Sequence, residues 1–512
     1  MMNKCLFSIA LLWSFVSFAQ DHQAQIDAAV EKAMATFNIP GVAIAIVKDD
    51  KIVVSKGYGV VEKGSKKAVT SDTIFGVASN TKAMTAALLA NLVDQGKIKW
   101  STPVIDILPE FQLYDPYVTR EFQIIDLLQH NSGLGLGQGD LMIWPATSHD
   151  SRYVLSKLKY LQPKSSFRSA FAYNNLMFVT AGEVIARVSN KPWQEVIKEK
   201  IFEPLAMNST YARYSDIDTA NQQVASAHVP LNGELHVVGG NFLEDFEAAG
   251  AVGSTVTDMS QWIRLALNRG SLNGYQLFSE TQSHKMWTQA NPLAVSNTAT
   301  ERDGTQFNSY GLGWFIGDYQ GYKLAHHSGG ILGMVSKVVL VPEQNLGLVV
   351  LTNQQSGAAF NAIYREILEQ YLALEDKDWV SYFAKRDKQG RDKEKARLAK
   401  VFHEKNQQSK PSLPLSKYAQ LYQDQWYGDV EIVESKGSLE MRFKHTDLLV
   451  GKLEHFQYDT FIVRWYDRTL EADAFVTFSI DEKGDVESVK MKAVSYYTDF
   501  SFDFHNLQLT PK

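Results

Sequence analysis

The sequence predicts an α+β protein in two folded parts: an antiparallel sheet sharing its domain with a cluster of helices, then a smaller all-β domain. Three observations lead there. Strand-like runs stand near the start and again past residue 310, with helical segments between them. Charged and amide residues crowd Lys385 to Lys410, and Lys410-Pro411-Ser412-Leu413-Pro414 reads as a linker. Beyond it, short β-rich runs recur at close intervals, the pattern of a barrel or sandwich. The expected divisions are a leader over 1–19, a first domain over 20–376, a charged helical or linker segment over 377–414, and a β domain over 415–512. A chain of 512 residues has material for all of them.

The leader comes first. Lys4 supplies a positive charge, Leu6 to Phe18 is mostly apolar, and Ser17 and Ala19 put small residues where a signal peptidase reads them. The run is short for a membrane span, so a secreted or periplasmic location is expected. Cleavage after Ala19 or Gln20 would remove Cys5, the only cysteine. The mature chain would then hold no disulfide, thiol nucleophile or cysteine metal ligand. A formal charge of −6, with both signs spread along the chain, gives no basic stripe for nucleic acid. No second apolar stretch of spanning length follows, so no membrane span is expected.

Val42 to Val47 and Ile52 to Val54 flank Lys48-Asp49-Asp50-Lys51 as a hairpin. Asn80 to Asp94 reads as a helix, with Met84, Leu88 and Leu92 four apart, alanines on the other faces and Gly96 as a stop. A helix apolar on nearly every side is a buried one. Gly182 to Val188, Trp193 to Phe202 and Met259 to Leu267 are further helical segments. Strands are expected at Leu312 to Ile316, Lys323 to His327, Val335 to Val341 and Leu346 to Thr352, closed by a helix from Ala358 to Leu374. In the last part, strands are expected at Gly428 to Glu434, Leu439 to Phe443, Thr460 to Trp465, Ala474 to Ile480 and Val486 to Met491.

Three short motifs carry chemistry. Ser79-Asn80-Thr81-Lys82 opens the buried helix, and residues three apart on a helix share a face. A serine hydroxyl needs a base, and a lysine in a dry pocket loses its proton readily enough to be one. The spacing is not unique, since Ser156-Lys157-Leu158-Lys159 repeats it in a polar stretch that reads as a solvated helix face. Taken alone, Ser79 could equally be a helix cap with a surface lysine beside it. Tyr173-Asn174-Asn175 comes next: a phenol beside a lysine can pass a proton, and an amide can meet a substrate carbonyl and the lysine amine. By itself it would more often be a core ring and a cap. His327-Ser328-Gly329-Gly330 ends a strand, where glycines let a substrate backbone lie close and the N–H groups of Gly330 and Ser79 could hold an oxyanion. Its bland reading is a glycine-rich hairpin.

In this order the three motifs resemble the serine β-lactamase and penicillin-binding-protein superfamily, in the branch with class C β-lactamases, D-aminopeptidases and related esterases. Phe75-Gly76-Val77-Ala78, Asp126 to Leu134, Ala249 to Ser254 with Asp258-Met259, and Tyr310-Gly311-Leu312-Gly313-Trp314 are similar to the same family, over about Gln25 to Leu374. The resemblance implies a five-stranded antiparallel sheet flanked by helices. Ser79 would be the nucleophile, Lys82 and Tyr173 the proton-transfer pair, and Asn175, His327, Gly329 and Gly330 the substrate and oxyanion contacts. It implies no metal and no cofactor. His130 belongs to a loop motif that looks structural. His327 stands where many β-lactamases carry lysine, which weakens an antibiotic-destroying role. The segment from Leu415 is similar to the lipocalin-like domain of some relatives, where such domains shape the cleft or drive oligomerisation, so a homo-oligomer is allowed for. The expected activity is hydrolysis of amide or peptide bonds in a small-molecule or peptide substrate. An ester hydrolase, a β-lactamase, a penicillin-binding sensor and an inert scaffold are the competing readings.

Overall fold

The computed structural model describes residues 22–239 and 243–512, so the expected leader and Cys5 lie outside the described residues. The first sheet starts with β1 (Gly41–Lys48) and β2 (Lys51–Gly59), joined by Asp49 and Asp50, both at positive φ. Two left-handed residues in succession make the tight turn whose twist suits a right-handed strand pair, and aspartate tolerates that conformation. Six strands follow: β3 (Asn291–Leu293), β4 (Asn308–Tyr310), β5 (Phe315–Tyr319), β6 (Tyr322–Ile331), β7 (Met334–Val341) and β8 (Leu346–Thr352). Their order is β2-β1-β8-β7-β6-β5-β4-β3, antiparallel throughout.

The sheet thus has eight strands where five were expected. Its five long strands, β2, β1, β8, β7 and β6, are contiguous, and three short ones prolong one edge. Pro292 and Gly313 break the β pattern there: proline is tolerated on the edge strand β3, and Gly313 sits at φ 74°. That is also why the strand expected from Leu312 starts only at Phe315.

Alternation along β1 sends Val42, Ile44 and Ile46 to one core and Ala43, Ala45 and Val47 to the other. The first core is covered by helices α1 (22–37) and α5 (Gly357–Tyr371). The second holds α2 (Thr81–Asp94), α3 (Leu176–Ser189) and α4 (Val256–Leu267). α2 is the buried helix its alanines and leucines predict, with eleven buried residues out of fourteen; a helix so enclosed can carry a charged group out of water.

The charged segment is a 25-residue helix, α6 (Trp379–His403). Trp379 at one end is fully buried in the first domain's core, while Leu398, Val401 and Phe402 near the other pack on the β domain. Arg397 pairs with Glu394, which accepts hydrogen bonds from Ser495 and the Tyr496 N–H. The last domain contains β9 (Leu421–Asp424), β10 (Gly428–Ser435), β11 (Ser438–Phe443), β12 (Val450–Gln457), β13 (Thr460–Trp465), β14 (Ala474–Ile480), β15 (Val486–Ala493) and β16 (Thr510–Pro511). β9 pairs with β16, and Leu509 bridges back to Val489 on β15, so the sheet curls nearly shut. Buried rings, among them Tyr418, Tyr422, Tyr427, Phe443, Trp465 and Phe478, fill its interior. No helix among the described residues is long and apolar enough to cross a membrane.

Candidate active site

The turn before α2 carries Ser79. Ala78 sits at φ 48°, a strained conformation for a residue with a Cβ, and holds the serine out of the regular helix. Asn80 donates to the Ser336 hydroxyl on β7, which donates to the Val77 carbonyl, so the turn is tied to the sheet. Strand β6 passes so close that a Cβ on Gly329 would fall 2.2 Å from the Val77 oxygen. Only glycine fits there without moving the turn. Gly330 lies beyond it on the exposed rim, where a Cβ would meet little.

Lys82 is fully buried one helical turn on. Its Nζ donates to Ser79 Oγ at 3.0 Å, Asn175 Oδ1 at 2.8 Å and the Ala249 carbonyl at 2.7 Å. Burial lowers its pKa to about 7, with Asp140 pulling the other way. The partners decide where the lone pair goes. A carbonyl and an amide oxygen only accept, so both remaining N–H bonds of a neutral amine point at them. Its lone pair then faces the Ser79 hydroxyl, the arrangement of a base poised on its nucleophile.

Tyr173 stands beside the pair, its ring under the Lys82 ammonium at 5.0 Å from the centroid. Burial raises its pKa, while contact with Ser79 works in the opposite direction, so the phenol keeps its proton at neutral pH. His130, fully buried, packs its ring 4.2 Å from the Tyr173 ring, and its Nδ1 accepts the Asn174 N–H. It buttresses the tyrosine from behind. Asn175, at the start of α3, donates its amide to Asp140 Oδ2 at 2.7 Å while its oxygen receives Lys82.

His327 lines the cavity, but not as a donor or cation. Its Nδ1 lies 2.7 Å from the Ser328 carbonyl, which can only accept, so Nδ1 carries the hydrogen. Nε2 therefore accepts from the Tyr310 hydroxyl at 3.0 Å. Burial depresses its pKa to about 3, and Lys82 adds to the effect. The ring is neutral with both nitrogens engaged. His326, its neighbour in sequence, instead accepts from Lys337.

These residues surround a cavity of about 330 Å³. Ser79, Tyr173, Asn175, His327, Gly329 and Gly330 all line it, with Ile143, Trp144, Phe315, Val335 and Phe360 supplying apolar wall. Among the described residues, neither arginine nor lysine lines it. Asp499, Phe500 and Ser501 reach in from the C-terminal domain, Phe500 edge-on to Tyr173. Sequence reasoning missed Asp140 and this last segment, because nothing local marks them and their partners lie up to 361 positions away; Tyr310 stood in a family-like stretch, but its bond to His327 was not read from it. A larger open groove of about 880 Å³ over the helices holds none of the predicted site residues; the second serine–lysine pair, Ser156 and Lys159, sits along it.

The family described as Beta-lactamase matches residues 26–372, and a second, described as Domain of unknown function (DUF3471), matches 404–511. An unguisins hydrolase of Aspergillus campestris is 28% identical over 430 residues, covering 79% of this chain and 76% of its own. The protein flp of Staphylococcus aureus is 26% identical over 344 residues, 66% of this chain and 64% of its own. An octameric penicillin-binding protein homologue from Pyrococcus abyssi has the same fold, with a TM-score of 0.61 and 21% identity over 95% of this chain and 99% of the other.

Proposed function

This chain belongs to the β-lactamase family of serine hydrolases, and within that family we propose that it is an exported amide- or peptide-bond hydrolase working through an acyl group on Ser79. One observation carries the reading: Lys82, buried and with a pKa near neutrality, has both other acceptors fixed so that its free lone pair meets the Ser79 hydroxyl. Ser79 Oγ attacks the carbonyl carbon and its proton passes to Lys82. The N–H groups of Ser79 and Gly330 hold the oxygen as it takes charge. The Tyr173 phenol gives its proton to the leaving nitrogen and regains one from Lys82 as the C–N bond breaks. Water then adds to the ester, the same groups return the proton to Ser79 Oγ, and a carboxylic acid departs.

The cavity narrows the substrate. A free carboxylate beside the scissile bond would find no arginine or lysine among the described lining residues, and His327 is held neutral. Apolar walls favour a substrate blocked or cyclised at that end, and the unguisins hydrolase among the relatives supports a hydrolytic activity. Export rests on the leader pattern of residues 1–19.

A labelled fluorophosphonate should add mass to the native protein and none to Ser79→Ala. Absence of an adduct on folded protein would overturn the reading in favour of a scaffold. Rates on a blocked peptide amide, a cyclic peptide, a p-nitrophenyl ester and nitrocefin then rank the substrates. Turnover of the ester alone would make the protein an esterase, and a long-lived penicillin adduct without turnover would make it a sensor.

A further inference from the structure

One of the C-terminal side chains at the cavity also bonds a group behind the catalytic amine. Ser501 Oγ donates to Asp140 Oδ2 at 2.9 Å, and the same oxygen accepts the Asn175 amide at 2.7 Å. Asp140 is fully buried and its other oxygen has no hydrogen-bond partner, so its orientation depends on these two contacts. Two residues on, Asp503 accepts the N–H groups of Gly139 and Leu141, clamping the backbone on both sides of Asp140.

We propose that Ser501 and Asp140 are positioning residues for the catalytic amine. The hydroxyl fixes the carboxylate, and the carboxylate fixes which way round the Asn175 amide sits. An amide has a donor end and an acceptor end of nearly the same shape. With Asp140 accepting from Nδ2, the oxygen must face Lys82. Turned over, the amide would offer N–H groups to the amine, and the lone pair would be drawn from Ser79 to Asn175. A serine 422 positions along the chain from Ser79 thereby governs the readiness of the base. Burial raises the pKa of Asp140, and the neighbouring Asp503 adds to this, while Asn175, Ser501 and Lys82 oppose it; a proton carried on the unpartnered Oδ1 leaves Oδ2 an acceptor as it is in the carboxylate.

This rests on the acyl-enzyme reading above, and the test separates the two. The full chain is labelled with a fluorophosphonate, resolving the limiting rate kinact from the half-saturating concentration KI. Ser501→Ala should lower kinact about tenfold, the scale of one lost hydrogen bond, with KI little changed. Ser501→Thr, which keeps the hydroxyl, should recover most of the rate. In an Asn175→Ala background the Ser501→Ala change should have no further effect, because the contact it acts through is gone. Native kinact in Ser501→Ala, a change confined to KI, or full additivity with Asn175→Ala would each overturn the proposal while leaving Ser79 as nucleophile. Failure of the native chain to label at Ser79 would instead remove the reading beneath it.

Discussion

Ser79 and Ser156 each stand three residues ahead of a lysine at the start or end of a helical turn, yet the two pairs share nothing else. Ser156 is exposed and donates to the Tyr153 carbonyl of its own helix, and Lys159 reaches over the neighbouring Tyr160 ring. Ser79 is held at a strained turn, and Lys82 is enclosed by Ala249, Asn175 and two aromatic rings. Helical spacing puts a hydroxyl and an amine on one face in either place; only burial makes the amine a base. In water a lysine stays charged and has no lone pair to offer.

Substitutions can break that comparison at several depths. Ser79→Ala should reduce hydrolysis to background, a loss of roughly six powers of ten being the scale for removing such a nucleophile. Lys82→Ala should slow acylation by about two to four powers of ten, read by stopped-flow on the ester. Tyr173→Phe should cost a similar or smaller factor, felt more on amides than on esters because amines need the proton to leave. An amide-to-ester rate ratio unchanged by that substitution would take Tyr173 out of the leaving-group step.

The pH dependence sharpens the contrast. The active form of Lys82 is neutral, so acylation should be near its plateau above pH 7 and fall close to tenfold per unit below it. A rate still rising steeply at pH 9 would show that the amine is not held near neutrality. Gly329→Ala should lower thermal stability by about 1–3 kcal/mol and slow labelling, as the new methyl drives into Val77. Smallest of all, Ser156→Ala and Lys159→Ala should leave the rate unaltered and stability within about 0.5 kcal/mol.

Much of this was legible in the residues. The hairpin at Asp49-Asp50, the buried α2 and the strands β7 and β8 follow from periodicity and turn chemistry, which act over a few neighbours. β12 was missed because Lys452 and Glu454 alternate with Gly451 and Leu453, a pattern whose apolar signal is thin on one face. The segment 377–414 reads as charged, and most of it is helix α6, whose few apolar residues at its two ends meet different domains. A short interaction range makes such features readable one window at a time.

By itself the sequence determined the repertoire: a hydroxyl and an amine one helical turn apart, a phenol and an amide ahead of a second helix, and glycines at the close approach. Only the tertiary structure decided their states. Whether Lys82 is charged, which end of Asn175 faces it, that His327 is neutral and occupied, and that Ser501 belongs to the site all depend on groups brought from distant positions. Solvation and hydrogen bonding act through space over a few ångströms, and chain order carries no record of which distant atoms will fill that shell.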